Sequence, residues 1–215
     1  MRGERHPPTP ASLSPEKPFR FIGGDPSIDF VNTVDWADRG IEHERITDYE
    51  RFVEWAHAAA MISEIDGQRL RRRARSTPRL AAVAYRQAMR TRWVLQRLYS
   101  AIVTGKSTRT ALHEFNELLS RALQRMELAS PSPTHRSFAR AWRGMGEELQ
   151  SPLWPILWHA CALMTSDDLS LLRVCDGVAC GWMYVDRSRN GLRRWCRMET
   201  CGTQEKNRRR ATGVS

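Results

Sequence analysis

No stretch of eighteen or more apolar residues occurs in this chain, and a helix that crosses a bilayer needs about that length. The N-terminus also lacks the apolar stretch of a secretory signal; Pro7, Pro8, Pro10, Pro15 and Pro18 fill that region instead. Residues 1–18 therefore read as a disordered leader, and the protein as cytoplasmic. Catalytic signatures are missing too. No phosphate loop, no nucleophile, no acid-base pair and no open metal site stands out, so an enzyme is not expected. His6 lies in the leader, and His43, His57, His113, His135 and His159 are scattered without metal-ligand or Cys-His-Asp spacing. There is no internal repeat and no heptad zipper.

Cysteine is scarce, with five in 215 residues, but four of them are placed with a symmetry that carries chemistry. Cys175, Cys180, Cys196 and Cys201 form two C-x4-C pairs separated by fifteen residues. Residues five apart diverge by about 140° on a helix and point to opposite faces of a strand, so neither element would converge the thiols. Each pair must sit on a turn, and Asp176–Ala179 and Arg197–Thr200 supply two loops of equal length. Four thiolates satisfy tetrahedral zinc and leave no open position, which points to a folding role. An iron–sulfur cluster also takes four cysteines, and two disulfides would need an oxidising compartment; the spacing is too long for a redox C-x-x-C pair. Cys161, inside the apolar run Ile156–Met164, reads as a space-filling thiol. Between the pairs, Trp182–Val185 and Leu192–Trp195 flank Asn190-Gly191, a strong turn dipeptide, and predict a β-hairpin with Trp182 and Trp195 as its small core, base stacking being the other use of these rings.

Upstream, residues 19–169 read as helical. Thr47-Asp48-Tyr49-Glu50 has the form of a capping box, and Phe52, Val53, Trp55, Ala56 and Ala59 follow at helical spacing, predicting a helix over 48–60. Thr77-Pro78 opens the longest helix, whose apolar face runs from Val83 through Leu98 and Ile102 towards Gly105. Ser107 opens a third, with Leu112, Phe115, Leu119, Leu123 and Met126 on one face. Pro131 and Pro133 break the chain, and Leu128–Trp142 reads as a short hairpin or an irregular excursion. Ser151-Pro152 starts a last helix, with Pro155 still in its first turn.

The net charge is +10, and residues 171–215 hold ten Lys or Arg against four acids. A zinc ion with four thiolates contributes about −2, so the module stays basic when metallated. Such a surface attracts phosphates through counterion release. Candidate contacts are Arg187, Arg189, Arg193 and Arg194 in the expected hairpin, and Lys206 and Arg208, with Arg209 and Arg210, in the tail. The alternative is a solvated face, or ion pairs with acids of the helical domain. Arg71-Arg72-Arg73 with Arg75 is a second basic run, which reads as a solvated helix end or as an extension of the nucleic-acid surface.

The segment Cys175–Lys206, with C-x4-C-G-W, Asp186-Arg187-Ser188-Arg189-Asn190-Gly191, Arg193-Arg194-Trp195-Cys196 and Cys201-Gly202, resembles the CGNR zinc-finger family of bacterial transcription regulators. Ile28-Asp29-Phe30-Val31-Asn32-Thr33-Val34, with Trp36 behind it, is similar to the opening motif of the ABATE domain that accompanies this finger. Thr203 and Gln204 stand where the name-giving Asn and Arg would be. The resemblance implies a mostly α protein in three parts: the leader 1–18, a helical ABATE-like domain over 19–169, and over 170–215 a small treble-clef-like or ribbon-like zinc finger with one β-hairpin and a basic tail. It implies a DNA-binding regulator whose helical domain senses or regulates, with a ligand pocket near Asn32, Thr33 and Trp36 and a homodimer both compatible with that role. The competing assignments are a zinc-stabilised protein-interaction module for the finger, and helix capping or bonding to buried backbone for Asn32 and Thr33.

Overall fold

The computed structural model describes residues 19–37, 40–130, 137–178 and 180–212; the leader lies outside them, as do the side chains of 36–42, Trp36 included. Helix α1 (Pro26–Val31) starts at Asp25, whose carboxylate accepts the Ser27 N–H at 2.8 Å, with Pro26 in the first turn where its missing N–H costs nothing. Residues 27–31 are all buried. The chain then turns into strands β1 (Val34–Ala37) and β2 (Gly40–Glu44), an antiparallel pair with a register shift at Asp35/Trp36. Helix α2 (Tyr49–Ala58) is capped by Asp48, not Thr47, because the carboxylate is the stronger acceptor for the Arg51 N–H. Ser63 caps α3 (Glu64–Ser76). Helix α4 (Pro78–Val103) is the longest, as the Thr77-Pro78 start predicts, and Gly105 at φ +65° follows it. Helix α5 (Arg109–Leu123) ends before Met126, which its apolar spacing includes but which opens strand β3 (Met126–Ala129); β3 pairs antiparallel with β4 (Ala139–Trp142), as the hairpin alternative expects, with 131–136 outside the described residues.

Helix α6 (Leu153–Met164) is apolar on most of its faces and buries Leu153, Trp154, Ile156, Leu157, Ala160 and Leu163. It packs between α1 and α5, while α2 and α3 lie against α4. The centre is aromatic: Phe30 meets Trp55 at 5.0 Å and Phe52 at 5.9 Å between ring centroids. Fully burying such a side chain stabilises by roughly 1.5–3 kcal/mol. Among the described residues no helix is long and apolar enough to cross a membrane.

After a 3-10 turn (Asp167–Leu171) come strands β5 (Leu172–Val174) and β6 (Met183–Val185), paired antiparallel, then a π-helical turn (Met198–Gly202) and α7 (Thr203–Thr212). The finger thus holds one hairpin, but not between the expected arms. The β6 strand pairs with β5, and the turn of the hairpin is the first cysteine loop. Asn190-Gly191 does turn, with the Gly191 N–H on the Ser188 carbonyl at 3.1 Å and φ +61° at Gly191. Asp186 then captures the returning chain: its carboxylate accepts from the Ser188 hydroxyl (2.6 Å), the Ser188 N–H (3.0 Å) and the Arg193 N–H (3.0 Å). Residues 192–195 form no strand ladder: besides Asp186, the Tyr184 hydroxyl holds the Arg193 carbonyl at 2.6 Å and the Asp176 N–H holds the Arg194 carbonyl at 2.9 Å.

Candidate metal centre and its seat on the helical domain

The two C-x4-C loops bring four sulfurs to one point. All four Sγ atoms lie within 4.8 Å of one another, with Cys180 to Cys196 at 3.6 Å and Cys196 to Cys201 at 3.5 Å. A tetrahedral zinc with Zn–S near 2.3 Å has ligand edges of about 3.8 Å, so the set fits one ion. A multi-iron cluster, in which different irons take different sulfurs, would spread the thiols further apart. The cysteines are free, at separations far beyond a disulfide bond. The Cys175 sulfur accepts the Cys196 N–H at 3.1 Å and the Gly177 N–H at 3.3 Å. Hydrogen bonds from the Cys180 and Cys196 thiols, reinforced by those amides, hold the Cys175 thiol well below its ordinary value. The same shared bonds push the Cys180 and Cys196 thiols up, so zinc takes the set by displacing their protons. Gly177 is obligatory for the close turn: a Cβ there would lie 2.8 Å from the Cys201 Cβ and 2.9 Å from its sulfur. The four cysteines form a closed zinc site, and zinc bound there ties the ends of the finger together without offering a coordination position for substrate. Trp182 and Tyr184 are buried with Cys175 and Cys196, and Trp195 packs against them, as the small-core reading of the tryptophans expects.

The finger sits on the helical domain through β6. Asn32, at the end of α1, spends both ends of its amide on Met183: Nδ2 donates to the carbonyl at 2.8 Å, and Oδ1 accepts the N–H at 2.9 Å. The Trp182 indole N–H donates to the Val34 carbonyl at 2.8 Å, with the Arg45 guanidinium 4.9 Å from the centre of its ring. The Val185 N–H reaches the Gly23 carbonyl at 2.8 Å. Residues 22 and 23 are in turn fixed by Asp29, whose Oδ1 accepts both their N–H groups at 2.9 and 2.7 Å. Burial pushes the Asp29 carboxyl up to about 6, against the pull of those two bonds. Thr33 donates to the Phe30 carbonyl and accepts from Arg92, which also pairs with Glu44 through both arms of its guanidinium. Asn32 and Thr33 are 1% and 3% exposed, and their polar side-chain atoms are engaged by protein. Neither lines the cavities of about 480 Å³ (His57, Ile62, Asp66, Trp142) and 310 Å³ (Gln87, Arg121, Arg125, Gln150, Trp154) in the helical part.

The basic residues divide by role. Arg187 holds the Gly24 carbonyl at 2.7 Å and Asp168 at 2.6 Å. Arg193 donates to the carbonyls of Cys196 (2.6 Å), Trp195 (3.1 Å) and Ile22 (3.2 Å), and lies 4.0 Å above the Tyr184 ring. Arg194 pairs with Asp176 at 2.9 Å. Arg208 and Arg209 share Glu205 and draw its carboxyl down to about 2. Arg189, Lys206 and Arg210 are exposed. Tertiary contacts set Arg187, Arg193 and Arg194 apart from the exposed group, whereas the pairs of Arg208 and Arg209 with Glu205 are local to α7.

Two family models match the chain in succession. The ABATE model, described as a putative stress-induced transcription regulator, covers residues 24–167, and the CGNR zinc finger covers 172–212. Neither describes an enzyme. No curated protein matches the chain.

Proposed function

Since the chain belongs to the ABATE family and carries a CGNR zinc finger behind that domain, we propose that it is a DNA-binding transcription regulator in which zinc orders a basic module against a helical regulatory domain. The observation that carries this reading is the position of α7. The helix begins one residue after the Cys201-Gly202 pair, its contacts fall on the π-helical turn that holds Cys201, and it displays Lys206 and Arg210 one turn apart, both exposed. A metal that fixes Cys201 therefore fixes the helix. Arg189, exposed at the Asn190-Gly191 turn, adds a third cation. Arg187, Arg193, Arg194 and Arg208 serve this reading as the brace that holds the module's shape rather than as its leading phosphate contacts. Thr203, in place of the family Asn, donates to the Met198 carbonyl at 3.0 Å and keeps the helix start intact, while Gln204 removes one cation from the exposed surface.

Fluorescence anisotropy of a labelled duplex with zinc-loaded protein, titrated with salt, tests the reading. Lys206→Gln with Arg210→Gln should shallow the log–log salt slope by about 1.8, two phosphates at about 0.9 each. Absence of binding by the wild type at low salt would refute it. The bonds between Asn32 and Met183 favour a second reading, in which the finger is an interaction module docked within its own chain and its cations are bystanders. Under that reading neutralising Lys206 and Arg210 leaves cellular function unchanged.

A further inference from the structure

The largest concentration of positive charge lies outside the finger. Residues 67–113 contain twelve Lys or Arg and no Asp or Glu, more positive charge than the net +10 of the whole chain. Helix α4 runs through the middle of this segment. Its buried positions, Ala81, Ala84, Ala88, Thr91, Leu95 and Leu98 among them, face the core. On the opposite side Arg79, Arg86 and Arg90 are exposed, with no hydrogen-bond or ion-pair partner among the described residues. Their spacing of seven and then four residues keeps them within about 20° of one line at 100° per residue. Arg97 continues the same line and is paired with Glu114 of α5.

We infer that this arginine stripe is a second docking surface for the phosphate backbone of duplex DNA, carried by the regulatory domain. The inference rests on the DNA-binding reading above and extends it from the finger to α4. From Arg79 to Arg90 the stripe is about 16 Å long, close to the rise of five base-pair steps of about 3.4 Å along the duplex axis. It is straight, because it lies on one helix, and it is held rigidly, because the other side of α4 is core. The cations are guanidiniums in a chain with only three lysines, and a guanidinium presents a planar pair of donors to two phosphate oxygens. A membrane surface fits less well: an interfacial helix inserts a continuous apolar face, whereas α4 has spent its own on the core. A protein partner would need an apolar centre, and the exposed large apolar side chains of α4 are Leu80, Val83 and Trp93, at 55%, 49% and 36%.

The test uses the full-length, zinc-loaded chain and a labelled 20-base-pair duplex, with anisotropy followed over a salt titration. Arg79→Gln, Arg86→Gln and Arg90→Gln together should shallow the log–log slope by about 2.7, add to the effect of the Lys206 and Arg210 pair, and leave the melting temperature unchanged because all three sites are exposed. A triple variant with the wild-type slope overturns the stripe and leaves the finger reading standing. Loss of binding to phosphatidylserine vesicles with duplex binding intact also overturns it, in favour of a lipid surface. A wild type that binds no duplex at low salt refutes the DNA-binding reading itself.

Discussion

Changing Asn32 to Asp replaces one nitrogen by oxygen and leaves the side-chain shape almost intact, so it isolates what the amide does. In the native chain Nδ2 donates to the Met183 carbonyl at 2.8 Å and Oδ1 accepts the Met183 N–H at 2.9 Å, with Asn32 1% exposed. The carboxylate keeps the second bond and turns the first into a contact between two oxygens. A buried carbonyl left without its donor costs about 1–3 kcal/mol. The uncompensated buried charge raises this to about 3–5 kcal/mol. Asn32→Asp should therefore destabilise the zinc-loaded protein by about 3–5 kcal/mol at pH 7.5, measured as a loss of urea midpoint with constant slope. Asn32→Ala, which leaves both Met183 groups unpaired, should cost about 2–6 kcal/mol, about 1–3 for each. A second signature separates the two variants. The introduced carboxyl has a folded-state pKa raised above its unfolded value, because its protonated form can donate to Met183 again. Its cost should shrink as pH falls through that folded value, whereas the Ala variant keeps the same deficit. An Asp variant within about 0.5 kcal/mol of wild type, the range of an ordinary surface change, would refute the view that this amide seats the finger.

At Gly177 the added methyl of Gly177→Ala meets Cys201 at 2.8–2.9 Å, so zinc affinity measured against a chromophoric chelator should fall at least tenfold; unchanged affinity would mean that the first loop is looser than the structure shows. Asp29 supplies a pH test. Its carboxyl is raised by burial from 3.8 to about 6, so the native state binds the proton more tightly. The stability it contributes is fully present below about pH 4 and is lost as pH rises through 6, an upper bound of about 3 kcal/mol. Asp29→Asn should flatten the stability profile between pH 4 and 7, as read by urea melts at fixed salt, and a profile unchanged in that window would contradict the assignment.

The metal site was legible because its chemistry is local: ligand type and spacing alone require two turns and one shared point. Helices α4, α5 and α6 were legible for a related reason, since their apolar faces repeat at three and four residues and proline marks two of the starts. The seat of the finger was not legible. Asn32 and Met183 are 151 residues apart, and a D-F-x-N-T string carries no sign that its amide will hold a distant strand. The hairpin partner was misread because Asn190-Gly191 is a strong local turn signal, while the competing pull, the Asp186 carboxylate on Ser188 and Arg193, shows only in three dimensions. The same limit applies to the arginines. Arg193 reads as a surface cation until the carbonyls of Ile22, Trp195 and Cys196 are seen to converge on it.

The closed four-sulfur centre underlies both the shape of the finger and the placement of α7, and zinc K-edge X-ray absorption on the purified full-length chain tests it most directly. One zinc per chain is expected, with four sulfur scatterers at about 2.3 Å and no oxygen or nitrogen bound to the metal. A shell containing fewer than four sulfurs, or a visible absorption spectrum of iron–sulfur character with iron in place of zinc, would contradict it.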